Sequence, residues 1–136
     1  MRAYFDSSAL IKRVVVEAES DVLVDYLDTC YRAGDVLASS SLAWVEVSRA
    51  VLARVKSPTD VGELIDDAMS GIDERPMTGE VVSVARRIEP TILRSLDALH
   101  LATAVLIDAD VVVTYDDRLA DACRRNALTV ASPGRS

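Results

Sequence analysis

Three short apolar runs end on an acid or a hydroxyl and pass at once into helical periodicity. This junction constrains the chain more than any other feature in it. "RAYF" (2–5) stops at Asp6, "VLASS" (36–40) runs into "SSLAWVEVSRAVLARV", and "VVVTY" (111–115) stops at Asp116. β-Branched and aromatic runs of this length read as strands. Strands that alternate with helices predict a mostly parallel sheet covered on both faces. Parallel neighbours need a crossover, and the crossover helix buries its apolar stripe on the sheet. The expected fold class is α/β.

The rest of the chain fits that alternation. "SSALIKRVV" after Asp6 reads as a short helix. "AESDVLVDYLDTCYRAG" carries Val22, Leu23, Tyr26, Leu27 and Cys30 at spacings of three and four, with Gly34 as its C-cap. Ser40 or Ser41 caps the helix after the second strand. Ser57-Pro58-Thr59-Asp60 joins a cap to a proline at the first helical position, opening a helix that runs to about Asp73. "RPM" (75–77) reads as a third strand, and "TGEVVSVARRIE" as a helix that Pro90 ends. "SLDALHLATAVLI" and "DDRLADACRRN" are helices, and "LTV" (128–130) is a last short strand. The 136 residues suit one domain, residues 1–132, with 133–136 as a short mobile tail.

Met1 leads straight into a strand-like run without the apolar core of a signal peptide, and no stretch has the length of a membrane span. Cys30 and Cys123 match no metal spacing and no disulfide framework. A soluble cytoplasmic protein with reduced thiols is expected. The formal charge of −7 weighs against a nucleic-acid partner. That objection lapses if the acids are gathered round a cation, which lets a phosphate approach. Arginine outnumbers lysine thirteen to two, and guanidinium forks suit phosphate.

In an open parallel sheet, ligands bind beyond the carboxyl ends of the strands where the strand order reverses. Asp6 and Asp116 sit at such ends, and each also fits the N-cap of the helix that follows. Glu46 lies on a helix whose shared face is Leu42, Ala43, Ala50 and Ala53, where an ionised group needs a partner or a metal. Arg49, three residues on, is the partner at hand. Asp97 opens a helix apolar on its other sides, with a narrow polar stripe of Asp97, His100 and Thr103. It also fits an N-cap, with Leu96 and Leu101 as a staple. His100, the sole histidine, reads either as a metal ligand or as a hydrogen-bonded core residue. Thr114 and Ser7 are hydroxyls placed to hold a carboxylate or water, roles that compete with ordinary capping. Four acids on four elements repel unless something offsets them, and no lysine lies beside them. An all-oxygen set favours Mg²⁺ or Mn²⁺ over Zn²⁺.

These residues match a known pattern. "YFDSSALIK", "SSLAWVEVSRA", "RSLDALHLATA" and "VVTYDDRLADA" resemble, in order and spacing, the four motifs of PIN-domain ribonucleases. The size of the chain resembles the VapC toxins of VapBC toxin–antitoxin pairs. The resemblance implies a three-layer α/β/α sandwich round a mostly parallel sheet of about five strands. It implies a Mg²⁺- or Mn²⁺-dependent endoribonuclease that hydrolyses RNA phosphodiesters by metal-activated water. Asp6, Glu46, Asp97 and Asp116 carry over as catalytic and metal-holding acids, with Ser7, Thr114 and Asp117 in support. A homodimer and a cognate VapB-type antitoxin are implied as well. Arg13, Arg49, Arg94 and Arg118 are candidates for RNA backbone contacts. A receiver-like signalling domain fits poorly, because serines follow Asp6 and no lysine follows "LTV". A haloacid-dehalogenase phosphatase fits poorly too, because position 8 is Ser8. A non-catalytic PIN-like binding module is the remaining alternative.

Overall fold

The structure, a computed structural model, describes residues 1–55 and 60–135. Its organising strand is β1 (Arg2–Phe5), where Ala3, Tyr4 and Phe5 are all fully buried. A strand apolar on consecutive residues can be buried only if both its faces are covered. β1 therefore takes the centre of a five-stranded parallel sheet, in the order β3-β2-β1-β4-β5. The other strands are β2 (Val36–Ser40), β3 (Asp73–Arg75), β4 (Val111–Val113) and β5 (Val130–Ala131). Tyr4 registers with Ala38 on one side and with Val112 on the other.

One core lies between the sheet and α1 (Ser7–Ile11), α2 (Ser20–Arg32), α3 (Ser41–Arg54) and α4 (Val61–Met69). Leu10, Leu23, Leu27, Val47 and Val51 meet Ala3, Phe5 and Val113 there. The second core lies on the opposite face, where α6 (Ser95–Leu106) and α7 (Asp117–Arg125) set Leu101, Ala104, Leu119 and Ala122 against Tyr4 and Val112. α5 (Gly79–Ala85) packs on α6. The sheet is parallel and covered on both faces, as the alternation of elements predicts, and the whole is the three-layer α/β/α sandwich that the family resemblance implies. Cys30 and Cys123 are free and buried, and no helix among the described residues is long and apolar enough to cross a membrane.

Local rules account for the helix ends. Ser40 caps α3 by accepting from the Leu42 N–H at 3.1 Å, and Thr78 caps α5 through the Val81 N–H at 3.2 Å. After α2 the chain turns at Gly34, whose φ of 79° suits a residue without Cβ. The turn closes with Asp35 N–H on the Cys30 carbonyl at 3.1 Å.

Several expectations need correction. The helix expected to run to about Asp73 ends at Met69, because the chain must leave it to enter β3 at Asp73. The strand expected over 111–115 ends at Val113, and Thr114 and Tyr115 form the turn into α7. The third strand is Asp73–Arg75 rather than 75–77, because Pro76 has no N–H for a ladder. The last strand is Val130–Ala131 rather than 128–130; its register is set by pairing with Val112 and Val113. α5 ends at Ala85, well before Pro90, in a tight turn that carries Arg87 N–H to the Val84 carbonyl. Asp97 is not a cap: α6 begins after Arg94, so Asp97 stands third in the helix and Leu96 is half exposed rather than stapled. The cap foreseen at Ser57-Pro58-Thr59 lies outside the described residues.

Leu101 is fully buried between α6 and the sheet. Leu101→Ala should therefore lower unfolding stability by about 2–5 kcal/mol, read from the denaturant midpoint at unchanged slope.

Candidate active site

The sheet places the candidate residues. The chain leaves β1 for a helix on one face and leaves β4 for a helix on the other, so a crevice opens beyond their carboxyl ends. Asp6 and Asp116 flank it, one at the end of each strand. Both are N-caps as well, so the two roles coexist. Asp6 Oδ1 accepts from the Ala9 N–H at 3.1 Å, and Asp116 Oδ1 accepts from the Leu119 N–H at 2.9 Å.

Asp6 is only 4% exposed. Burial pushes its carboxyl above the usual range, against the pull of His100 and of three hydrogen bonds. Those bonds use both oxygens: Ser8 Oγ–H donates to Oδ1 at 2.6 Å and Thr114 Oγ1–H donates to Oδ2 at 2.6 Å. Thr114 Oγ1 also accepts from the Asp116 N–H at 3.0 Å, so one hydroxyl ties the two strand-end acids together. Ser8 was missed in the sequence. It bridges from Asp6 to the Tyr115 N–H at 3.0 Å, and the doubled serine after Asp6 was the available signal.

Glu46 has a partner, but not the expected Arg49. His100 Nε2 lies 2.6 Å from its Oε1, and Ser7 Oγ–H donates to the same oxygen at 2.7 Å. Burial pushes the Glu46 carboxyl up, yet the bonds from His100 and Ser7 and the charge of His100 outweigh it and hold the group below its ordinary value. The helix face also differs from expectation. The buried stripe of α3 is Ala43, Val47 and Val51, Ala53 is exposed, and Glu46 flanks the stripe. His100 is a buried, hydrogen-bonded residue of α6, the second of its two readings. Thr103, the third member of that polar stripe, donates to its own helix at the Leu99 carbonyl instead.

Asp97 is half buried on α6. Burial first, then the charges of Asp116, Asp6 and Glu46, push its carboxyl up, while His100 pulls it down. Asp97, Asp116 and the exposed Asp117 line an open cleft of about 290 Å³ together with Arg94 and Arg118. Asp117 lies at the rim, where Arg135 Nη1 approaches it at 3.3 Å. Arg13 is spent elsewhere, donating to the Ala68 and Ser70 carbonyls at 2.7 and 2.8 Å. The buried Lys12 is likewise spent on Glu17 and Glu19.

The four acids do not close into a ready-made cage. Among the described residues no three His, Cys, Asp or Glu side chains come close enough to hold a metal ion directly. The donor set still fits a hydrated hard cation. Among the described residues Asp6, Asp97 and Asp116 have no lysine or arginine in ion-pair contact, and the four candidate acids couple through Asp97. Mg²⁺ keeps several waters and takes only one or two carboxylates directly.

A family model described as PIN domain matches residues 3–125. The chain is 40% identical over 133 residues to Ribonuclease VapC47 of Mycobacterium tuberculosis, covering 96% of each chain. It is 39% identical over 132 residues to Ribonuclease VapC46 of the same organism, again covering 96% of each. Among solved structures it resembles VapBC2 from Rickettsia felis bound to a promoter DNA fragment, with a TM-score of 0.76 at 14% identity, covering 96% of this chain and 98% of the other. It also resembles Mycobacterium tuberculosis VapC20, a sarcin-ricin loop cleaving toxin, with a TM-score of 0.68 at 12% identity over 88% and 94% of the chains. These two likenesses show the fold.

Crowded carboxylates oppose folding while they are ionised. The folded-state value of Asp97 is raised, so this opposition eases as pH falls toward it. Asp97→Asn should raise the Tm of the metal-free protein at neutral pH by roughly 2–4 °C, the response to about 1 kcal/mol or less at a half-exposed site. It should also flatten the gain in stability seen on acidification, followed by thermal unfolding across pH.

Proposed function

The chain belongs to the PIN-domain family, and within it to the VapC-type proteins; from that premise we propose that it is a toxin endoribonuclease dependent on Mg²⁺ or Mn²⁺. The observation that carries this reading is the acid-lined cleft at the strand-order reversal, where acids from four elements couple with no lysine or arginine paired to Asp6, Asp97 or Asp116. Asp6, Glu46, Asp97 and Asp116 would hold the cation, directly or through water. When bound, such a cation supplies a more acidic water as nucleophile and offsets the charge that builds on the phosphate oxygens.

The chain's own groups do the positioning. Thr114 and Ser8 hold both oxygens of Asp6, so its carboxylate cannot rotate. Ser7 holds Glu46 from the turn that follows Asp6. Arg94 and Arg118 stand in the same cleft as Asp97 and Asp116, placed to take the flanking phosphates of an RNA strand. The N-terminus of α1 adds little as a phosphate site. That helix has five residues, and its Ala9 N–H is already given to Asp6.

The same reading includes a cognate VapB-type antitoxin and a homodimer. Its support is that curated relatives carry VapC names and that VapBC complexes share the fold. Exposed apolar side chains on α3 (Val45, Leu52) and around α5 and α6 (Val82, Ile92, Leu96) offer surface for such contacts.

The decisive experiment incubates purified, antitoxin-free protein with total RNA and Mg²⁺, beside Asp6→Asn and an EDTA control. Cleavage by the unsubstituted protein alone is expected, with a loss in Asp6→Asn of at least about 100-fold. Equal RNA loss in all three would sink the metal-nuclease reading. RNA that stays intact but bound in all three would favour the binding-module alternative.

A further inference from the structure

Glu46 differs from the other candidate acids in how it is held. Both of its donors, His100 and Ser7, lie on one oxygen, Oε1, and Oε2 makes no hydrogen bond among the described residues. Behind Glu46 the chain of contacts continues inward. His100 is 2% exposed, and its Nδ1 lies 2.6 Å from the hydroxyl of the fully buried Tyr4. The two rings pack edge to face, with centroids 5.8 Å apart and planes at 72°. A carboxylate oxygen only accepts, so Nε2 must carry the proton that faces Glu46. The Tyr4 hydroxyl donates to Nδ1 when the ring is neutral and accepts from it when the ring is protonated. Burial pushes the Tyr4 phenol well up, which keeps its proton in place. The polar atoms of this buried row are thereby paired: the Tyr4 hydroxyl with His100 Nδ1, and His100 Nε2–H with Glu46 Oε1.

We propose that Tyr4 and His100 form a buried positioning pair that locks Oε1 of Glu46 and presents Oε2 to the cleft. His100 is a positioning residue and not a metal ligand; ligation through Nε2 would cost both its proton and its bond to Glu46. The geometry explains why a lone histidine sits on the inner face of α6. That helix carries Asp97 toward the cleft and, one turn later, the group that orients an acid on α3. A glutamate side chain has three rotatable bonds, and holding it otherwise would rest on Ser7 alone. Hydrogen-bond partners of this kind, behind a metal-binding group, typically change metal affinity or activity by about 10- to 100-fold when removed.

The proposal rests on the nuclease reading, and the test separates the two. It uses the full chain, with Mn²⁺ binding followed by electron paramagnetic resonance alongside RNA cleavage. His100→Leu should weaken Mn²⁺ binding by about 10- to 100-fold and lower kcat with little change in KM. His100→Gln, whose amide N–H can still reach Glu46, should recover most of that loss, and Tyr4→Phe should fall between them. Because His100 is the only histidine, its imidazole gives a single ¹⁵N spectrum without metal, even if a variant folds poorly. A protonated Nε2 whose signal moves in Glu46→Gln is expected. A bare Nε2, or unchanged Mn²⁺ affinity and kcat in a folded His100→Leu, would overturn the proposal. Absence of Mn²⁺ binding and cleavage in the unsubstituted protein would instead overturn the nuclease reading.

Discussion

Asp6 puts a carboxylate where water barely reaches, and the neighbouring elements are arranged round it. An ionised group left unpaired at such a site costs several kcal/mol. Here three donors meet it, Ser8 Oγ–H and the Ala9 N–H from the first turn of α1 and Thr114 Oγ1–H from just beyond β4. Hydrogen bonds to a charged group contribute roughly 1.5–3 kcal/mol each, so they offset part of the cost of burial, although burial still holds the carboxyl above its ordinary range. The Thr114 bond also spans the β1–β4 pair. It fixes the depth at which the two strands end and hence the position of Asp116.

That arrangement sets local stability against function. Asp97 and Asp116 share a cleft, neither has a cationic side chain in ion-pair contact among the described residues, and the charge of Asp97 is opposed by Asp116, Asp6 and Glu46. The two buried cores, one on each face of the sheet, supply the stability that such a site gives up. Glu46 is the exception, since the protein itself stabilises its charge from behind. The acids thus fall into kinds. Asp6 is immobilised on both oxygens, Glu46 is held by one, Asp116 has one oxygen in a cap, and Asp97 faces the cleft without a hydrogen bond among the described residues.

The elements that carry the acids were legible because their signals are local. A strand of consecutive buried residues, a cap at its end and a 3.6-residue period after it can be read within a dozen positions. The short edge strands β3 and β5 were placed two residues early or late. Edge strands of two or three residues take their register from a partner strand rather than from their own pattern. Asp97 read equally well as a cap, and only the observed start of α6 after Arg94 excluded it. Ser8 was passed over because a serine beside an acid is common in turns, and its bond to the Tyr115 N–H comes from the other end of the chain.

The sequence alone determined the parallel α/β architecture and which acids stand at strand ends, since both follow from periodicities within single segments. The tertiary structure decided who holds those acids. Glu46 takes His100, 54 residues away, rather than Arg49, three residues away, and Asp6 takes Thr114 at a separation of 108. On a helix surface a partner three residues on is always within reach. A buried partner on another helix becomes available only when both helices pack on the same sheet, and a drier contact makes the stronger hydrogen bond.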